Sequence, residues 1–495
     1  MLRLSAKTLT DLPDEVARPG YDRSQVSAGI VHFGVGGFHR AHQAMYLDRL
    51  MNDGLALDWG ICGVGVLPGD RRMAEVLAAQ DHLYTLVVKH PDGHLEPRVI
   101  GSIVDYLFAP DDPDAVVEKL ADPATWIVSL TVTEGGYNVH AVTGEFNAAD
   151  PGVRHDLASP AAPRTVFGLV VEALVRRRAR GLAPFTILSC DNIQGNGDVA
   201  RRTFSAFASL RDADLGEWVR AEVSFPNCMV DRITPVTTME DIEHLAEHFG
   251  VEDGWPVVCE PFTQWVVEDA FAQRPPLEQV GAQLVADVEP YELMKLRLLN
   301  AGHQGLCYFG HLAGYRLVHE VCQDPLFASF LLAYMDEEAT PSLEPVPGID
   351  LTAYKHQLIE RFSNAYVRDT VARLCAESSD RIPKWLLAVL RYNLAHGGQV
   401  ALSAAVVASW ARYAEAVDEQ GEPITVVDRL ADRLTAAARR YGEDRLSFVR
   451  DAELFGTLAD EPGFTGPYLA ALDSLHTVGA RATLEALMAS PSRTL

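Results

Sequence analysis

The chain has 495 residues, of which 48% are hydrophobic, so two or three domains with large buried cores are expected. Its formal net charge of -26 argues against a nucleic-acid partner and against binding to anionic membrane surfaces. The seven cysteines are dispersed without a C-x-x-C pair, the first residues lack the apolar core of a signal peptide, and no uncharged apolar run could span a membrane. These features predict a cytoplasmic protein with reduced thiols.

The first half of the sequence alternates β-like and helix-like segments. Apolar runs that predict strands occur at 30–33, 59–66, 83–89, 99–107, 126–133 and 185–190. Segments with helical periodicity occur at 41–51, 68–79 and 165–180. Strands that alternate with helices indicate an α/β domain built on a parallel, doubly wound sheet of the Rossmann type.

The character of the sequence changes near Pro290, after which helical periodicity dominates. The predicted helices are 291–314, 326–337, 351–362, 385–394, 401–417 and 426–441. We therefore predict two domains, a Rossmann-type dinucleotide-binding domain at 1–286 and a mainly helical substrate domain at 287–495. A boundary of this kind places the helix that begins at 291 at the junction, and clefts between domains are common ligand sites.

A glycine-rich turn containing Gly34, Gly36 and Gly37 lies between the first predicted strand and the helix after it. Gly34 permits a tight turn, Gly36 lets the backbone approach a pyrophosphate, and the N-terminus of the following helix supplies N–H donors to it. Phe38 belongs to the same cofactor-binding motif. The third glycine of the G-x-G-x-x-G pattern is replaced by His39. An ordinary glycine turn is the alternative, but the strand and helix around it favour dinucleotide binding.

The acidic residue beyond the second strand bears on the choice of cofactor. Asp70 is placed to accept the adenosine ribose hydroxyls and to repel a 2′-phosphate, which favours NAD. Arg71 and Arg72 weaken this preference, because arginines at that point could hold the extra phosphate of NADP. Asp70 could also simply begin the next helix as part of a Pro-Gly-Asp turn.

The segment 291–303 carries the clearest chemical signal. Four polar residues interrupt an apolar, Leu-rich background: Glu292, Lys295, Asn300 and His303. At about 100° per residue, Glu292 and His303 lie roughly 60–80° to one side of Lys295, and Asn300 lies about 140° to that side. A lysine on a buried helix is costly unless it is paired or neutral, and a neutral lysine is a general base. The alternative is a lysine that snorkels from an apolar helix.

Four motifs, taken together, resemble those of the polyol-specific long-chain dehydrogenases. They lie at 34–43, 131–137 and 225–235 and in the spacing Lys295-x4-Asn300-x2-His303, and the resemblance covers nearly the whole chain in the family's order. Segments 335–351 and 359–364 are similar to the subgroup that acts on mannitol. The resemblance implies metal-independent hydride transfer between NAD and C2 of a polyol, in a protein that is often monomeric.

The resemblance also suggests roles for these residues. Lys295 is expected to remove the proton of the reacting hydroxyl, and His303 to orient the substrate and tune the lysine. Glu292 could relay the proton to water, or be a first-turn acid favoured by the helix dipole. Asn300 and Asn192 are expected to donate hydrogen bonds to the developing alkoxide.

Further contacts are implied around this centre. Asp191 adjoins Asn192, but the family pattern favours the asparagine for the alkoxide. Residues matching places where the family contacts the polyol are Asp231, Arg373 and Lys384, and a length change between the last two places Lys384 in doubt. Glu134 is expected near the nicotinamide, or is a turn carboxylate.

Histidine pairs raise the alternative of a zinc enzyme. His244 and His248 have i, i+4 spacing, and His39 and His42 are three residues apart. Neither pair has a cysteine or acid in a recognised ligand pattern, so no metal is predicted.

The sequence therefore predicts an NAD-dependent oxidoreductase that interconverts D-mannitol and D-fructose. A uronate reductase of the same family, acting on fructuronate/mannonate or tagaturonate/altronate, is the alternative, since Arg373 and Lys384 could serve a carboxylate. A non-catalytic nucleotide-binding sensor is the alternative from a different class.

Overall fold

The computed structural model describes residues 1–139 and 144–489. The chain divides into two compact units, Met1–Glu289 and Pro290–Leu495, so the division lies three residues beyond the predicted boundary at 286. Among the described residues, none of the helices is long and apolar enough to cross a membrane.

The strands of the first unit are the following: β1 (Leu2–Arg3), β2 (Ala28–Phe33), β3 (Gly60–Gly65), β4 (Tyr84–Lys89), β5 (Leu95–Ile100), β6 (Ile103–Phe108), β7 (Ile127–Leu130), β8 (Thr186–Ser189), β9 (Cys228–Asp231), β10 (Val251–Glu252), β11 (Val257–Cys259), β12 (Gln264–Glu268) and β13 (Gln283–Val285). Five of them form a sheet in the order β6-β3-β2-β7-β8, and every neighbouring pair is parallel. This arrangement confirms the predicted Rossmann-type sheet.

Alternate residues of the central strands enter two separate hydrophobic clusters, as expected for a sheet that is covered on both faces. Val31 and Val128 belong to one cluster, whereas Ile30 and Ile127 belong to the other. Near-continuous apolar runs are typical of such strands, and this is why the sequence revealed them.

The helices of the first unit are α1 (Gly37–Ala41), α2 (Gln43–Asn52), α3 (Arg71–Ala79), α4 (Pro113–Ala121), α5 (Pro151–Ala158), α6 (Val166–Ala179), α7 (Asn196–Arg211), α8 (Ala213–Glu222) and α9 (Met239–Phe249). Side chains that accept backbone N–H groups begin several of them, for example Thr165 at α6 and Thr238 at α9. The predicted helix 41–51 instead starts at Gly37 and breaks at His42, whose backbone is not helical.

Smaller sheets surround the central one. β4 pairs with β11 and β5, and β12 pairs with β13 and β9. The predicted strand 99–107 is therefore two strands, because β5 and β6 pair in different sheets. The short strands from β9 to β13 carry too few residues for a periodic signal, and the sequence did not indicate them.

The rest of the described chain is mainly helical. Its helices are α10 (Glu289–Met294), α11 (Ala301–Leu312), α12 (Val318–Gln323), α13 (Pro325–Tyr334), α14 (Leu351–Phe362), α15 (Val371–Cys375), α16 (Ser378–His396), α17 (Ala401–Ala414), α18 (Ala431–Ala438), α19 (Ala452–Phe455) and α20 (Pro462–Met488). The second unit has no β-strand among its described residues, so it is helical as predicted. α20 was not predicted, and it is kinked at Gly479, where φ is +85°.

Candidate active site

A cleft in the first unit opens at the carboxyl ends of the central strands. Its volume is about 760 Å³, and its lining includes Gly34, Val66 and Thr131, which directly follow β2, β3 and β7. The chain passes from β2 to β3 on one side and reaches β7 on the other, so the cleft lies where the strand order reverses. Open α/β sheets bind ligands at this point.

Gly34 is required by the shape of the turn. Its φ is +91°, and a Cβ at this position would lie 2.1 Å from the carbonyl oxygen of Thr131. A side chain is therefore excluded both by backbone conformation and by space. The hydroxyl of Thr131 donates to the Gly34 carbonyl at 2.7 Å, which holds the turn against the end of β7.

The other predicted residues of the turn also line the cleft, namely Gly36, Gly37 and Phe38. A Cβ on Gly36 would meet no protein atom closer than 3.8 Å, so the fold would tolerate a side chain at this position. Because glycine has none, the space beside Gly36 stays open to the cleft. His39, in place of the third glycine, stacks on His32 of β2 with ring centroids 3.4 Å apart. Burial lowers the pKa of both imidazoles, so they are neutral at physiological pH.

Asp70 lines the cleft and also shapes the turn after β3. Its Oδ2 atom accepts the backbone N–H groups of Val66 and Leu67, each at 2.9 Å. Both interpretations of Asp70 are therefore compatible with its position. Arg71 points elsewhere, because it forms a two-pronged ion pair with Asp111 at 2.6 and 3.2 Å and lies 4.5 Å from the Phe108 ring centroid. It is not among the residues that line the cleft.

The turn after β7 forms the opposite wall. Thr131, Val132, Thr133, Gly135 and Gly136 line the cleft, whereas Glu134 is exposed and does not.

Asp191, which follows β8, accepts hydrogen bonds from this turn. Its donors are the N–H of Thr133 at 2.8 Å, the N–H of Val132 at 3.1 Å and the hydroxyl of Tyr137 at 2.7 Å. Burial raises the pKa of Asp191 to about 6, although these three donors favour the ionised form.

The other two predicted residues of this unit lie on neighbouring elements. Asn192 is exposed, one residue after Asp191. Asp231 is buried at the end of β9, opposite Gln264 of β12.

In the second unit, the predicted continuous helix from 291 contains a π-helical segment, Lys295–Asn300, between α10 and α11. The N–H of Ala301 donates to the carbonyl of Leu296, five residues earlier, instead of four. Lys295 and Asn300 are consequently one wide turn apart on nearly the same face, and the α-helical estimate of about 140° between them is wrong. Single π turns of this kind are frequent at functional sites.

The four residues of segment 291–303 that were predicted for catalysis are all buried, with Lys295 only 7% exposed. The amide nitrogen of Asn300 is buried without a hydrogen-bond partner among the described residues. The His303 ring lies 4.3 Å from the Phe362 ring, between centroids. A buried donor without an acceptor calls for a physical explanation, such as a bound water, an ion or a ligand.

A second π segment, Met335–Ala339, packs against the first. The Tyr334 hydroxyl donates to the carbonyl of Arg297 at 3.1 Å, and the Arg297 guanidinium donates to the carbonyl of Ser342. Glu338, in the second segment, accepts the N–H groups of Leu402 and Ser403 at the start of α17. These contacts fix the segment that carries Lys295 and Asn300.

The two predicted substrate-binding cations, Arg373 and Lys384, differ in their ion pairing. Arg373, on α15, donates from Nε to Asp369 at 2.6 Å and from Nη2 to the other oxygen of the same carboxylate. α15 packs against α11, where Gln304 donates to the carbonyl of Leu374 at 3.2 Å, and the Arg373 side chain is 46% exposed. Lys384 is exposed on α16 and forms no ion pair within the described ranges.

The histidine pairs considered for zinc are occupied by other contacts. His244 and His248 stack with ring centroids 3.8 Å apart on α9, and His42 contacts the carbonyl of Gln264 at 2.9 Å. Residues 1–139 and 144–489 contain no group of three or more His, Cys, Asp or Glu side chains arranged for a metal ion.

Family models match both units of the chain. A model of the mannitol dehydrogenase Rossmann domain matches residues 28–279, and a model of the mannitol dehydrogenase C-terminal domain matches residues 287–476. This chain belongs to the mannitol dehydrogenase family. Both the resemblance and the fold predicted from the sequence are thereby confirmed.

Full-length relatives of the family are also similar. Mannitol 2-dehydrogenase of Aspergillus fumigatus is 44% identical over 495 residues, which cover 98% of each chain. The structure of Pseudomonas fluorescens mannitol 2-dehydrogenase in ternary complex with NAD and D-mannitol is 46% identical, with a TM-score of 0.92 over 99% of this chain and 100% of that chain. A substrate-free D-sorbitol dehydrogenase is 37% identical, with a TM-score of 0.89 over 97% and 100%.

In this member of the mannitol dehydrogenase family, the sequence did not reveal several residues around the site. The cleft is also lined by Arg164, Thr165 and Trp255, which belong to no recognisable motif. The i, i+4 spacing of Asp369 and Arg373 is a sequence signal that would have predicted their ion pair. The contact between Asp191 and the turn after β7 joins residues nearly sixty positions apart, so no local pattern reports it.

Proposed function

We propose that this chain is an NAD-dependent polyol dehydrogenase that interconverts D-mannitol and D-fructose. The observation that carries the proposal is its similarity, over both domains, to a mannitol 2-dehydrogenase whose structure contains NAD and D-mannitol. We further propose that it acts without a metal, as a cytoplasmic monomer.

The cleft of the first unit has the chemistry that a dinucleotide needs. Gly34, Gly36, Gly37 and Phe38 bring backbone close to a pyrophosphate at the end of β2, and the Asp70 carboxylate faces the same cleft. Because Arg71 is paired with Asp111, its charge is compensated, which favours NAD over NADP. Glu134 is proposed to lie beside the nicotinamide.

When bound, NAD supplies the acceptor for the hydride that leaves C2 of the polyol. Lys295, in its neutral form, takes the proton from the C2 hydroxyl as the C2–H bond breaks and the carbonyl forms. Glu292, three residues earlier, is proposed to pass that proton on to water.

The alkoxide that forms at C2 needs hydrogen-bond donors. The Asn300 amide nitrogen, buried and without a partner among the described residues, is a donor held ready for this oxygen. The π segment places it on nearly the same face as Lys295. We propose Asn192 as the second donor and His303 as the residue that orients the reacting hydroxyl.

The remaining hydroxyl groups need fixed polar partners, for which we propose Asp231, Arg373 and Lys384. The pairing of Arg373 with Asp369 bears on the uronate alternative. Two donors of the guanidinium already serve Asp369, and its positive charge is compensated. An Asp–Arg pair suits a neutral hydroxyl better than a substrate carboxylate, which the Asp369 charge repels.

A panel of substrates tests the proposed function. Initial rates are followed by NADH absorbance with NAD or NADP and with mannitol, arabinitol, sorbitol or mannonate. The fastest oxidation is expected with mannitol and NAD. Oxidation of mannonate much faster than that of every neutral polyol would contradict the proposal and favour a uronate reductase, whereas NADH binding without any turnover would favour the sensor.

A further inference from the structure

Asp191 is a buried carboxylate to which the expected catalytic chemistry gives no task. It is 7% exposed and has no ion pair with Lys or Arg in the part of the chain that the structure describes. Its two oxygens receive three hydrogen bonds, from the N–H groups of Val132 and Thr133 and from the Tyr137 hydroxyl. All three donors lie on one turn, which follows β7 (Ile127–Leu130).

The turn that Asp191 holds has an unfavourable backbone. Thr133 has φ +65° and ψ 171°, a region that residues other than glycine rarely adopt. The N–H of this same residue donates to Asp191 Oδ1 at 2.8 Å. Tyr137 is buried at the far end of the turn and also contacts Ser189 Oγ at 2.5 Å. Through these hydrogen bonds, the carboxylate holds both the strained residue and the end of the turn next to the end of β8 (Thr186–Ser189).

The same turn is a wall of the cofactor cleft. Thr133, Gly135 and Gly136 line it, and Thr131 at the start of the turn donates to the carbonyl of Gly34 at 2.7 Å. A chain of contacts thus runs from the Asp191 carboxylate through the turn to the glycine turn on the opposite wall.

The backbone of Asp191 is also held by a hydrogen bond. Its carbonyl accepts from Asn196 Nδ2 at 3.0 Å, and Asn196 also donates to the carbonyl of Cys228 at 2.7 Å. Asn192, the proposed alkoxide donor, is the next residue. One residue therefore connects the cleft wall to the loop that carries a proposed catalytic amide.

We propose that Asp191 is a positioning residue of the cofactor site, which holds the turn at 131–138 in the conformation that binds the dinucleotide. The inference rests on the proposed function, because it takes the cleft to be the NAD site. An acceptor with two full oxygens is needed there. An asparagine would present an amide N–H to one of the backbone N–H groups, so two donors would face each other.

The experiment compares Asp191→Asn and Tyr137→Phe with Asp48→Asn and Tyr21→Phe. Asp48 is the matched control, because it is also buried and accepts from a backbone N–H, of Gly101 at 2.9 Å, and from the Tyr21 hydroxyl at 2.7 Å. Neither Asp48 nor Tyr21 lines the cleft. The Kd of NADH is measured by fluorescence titration, together with Tm, kcat and the KM for NAD.

For Asp191→Asn we expect the Kd of NADH and the KM for NAD to rise about tenfold or more, and for Tyr137→Phe about threefold. The two controls are expected to lower Tm while the Kd stays within about twofold of the wild type. An Asp191→Asn protein that folds and binds NADH as the wild type does, whatever its Tm, would overturn the proposal. An equal rise in Kd for Asp48→Asn would overturn it too, because the effect would then be a general result of lost stability.

If Asp191→Asn fails to fold, Tyr137→Phe decides, since its ring still fills the same space. A wild-type protein that binds NADH but oxidises no polyol would contradict the proposed function and leave the binding comparison valid. A wild-type protein that oxidises mannitol, with unchanged NADH affinity in both cleft variants, would contradict only the positioning role.

Discussion

The two units of this chain hold their candidate functional residues by different means. In the first unit, two turns at strand ends form walls of the cleft, and the Asp191 side chain accepts hydrogen bonds from one of them. In the second, the proposed catalytic groups are buried side chains on a helix, and a π turn sets their spacing. Changes in the first unit should therefore alter cofactor affinity, and changes in the second should alter the chemical step.

The largest effect is expected for Lys295→Ala. Loss of a general base should reduce kcat about a thousandfold or more while NADH affinity stays close to that of the wild type. Rates from NADH absorbance and a fluorescence titration measure the two quantities. Lys355→Ala is the control, because Lys355 is another buried lysine of the second unit and forms an ion pair with Asp336. Unchanged turnover in Lys295→Ala would remove this residue from the mechanism.

Two glycine variants separate folding from cofactor binding within the first unit. Gly34→Ala meets a backbone oxygen at 2.1 Å and a φ of +91°, so we expect a loss of about 4 kcal/mol or more of stability together with NADH binding. Gly36→Ala has room within the protein, so Tm should hold while the Kd of NADH rises about tenfold. Denaturant unfolding and titration test the pair, and normal NADH affinity in Gly36→Ala would mean that the ligand does not approach this turn.

Stability should depend on pH through Glu338 in the second unit. Burial raises the pKa of Glu338 to about 7 from 4.5, against hydrogen bonds from Ser403 and Leu402. Because the folded state binds the proton more tightly, this residue favours folding most below pH 4.5, and the benefit falls as pH rises through 7. The difference is on the order of 3 kcal/mol.

Urea unfolding at pH 5 and pH 8.5 measures this dependence in the wild type and in Glu338→Gln. The fall in stability between the two pH values should be smaller in the variant, since Gln does not titrate. Parallel profiles for the two proteins would show that Glu338 does not titrate in this range.

The smallest effect is expected for Asp369→Asn, which frees the charge of Arg373. The ratio of kcat/KM for mannonate to that for mannitol should rise about tenfold, because the carboxylate that repels an acidic substrate is gone. Asp380→Asn, which breaks an exposed pair with Arg429 at 3.1 Å, should leave the ratio unchanged. A ratio that does not move in Asp369→Asn would show that the pair does not select against acids.

The contrast between the units also explains what the sequence could predict. The parallel sheet was visible because strands buried on both faces are continuous apolar runs, and Gly34 was visible because its neighbours form a strand and a helix. The π turn was not visible, since six residues are too few to distinguish one helical period from another. The contacts of Asp191 and the pairing of β9, β12 and β13 depend on residues far apart in the chain, and local patterns do not contain them.

The π segment has a consequence for anyone who edits or transplants this site. In a regular α-helix, residues separated by five positions point well apart, so copying Lys295 and Asn300 at their natural spacing into an ideal helical scaffold would separate base and amide. The segment is equivalent to one inserted residue, so deletion of a single residue such as Leu298 would restore regular winding and leave the lysine and the asparagine four positions apart, offset by only about 40°. The Lys-x4-Asn spacing is therefore meaningful only together with the irregular turn that contains it.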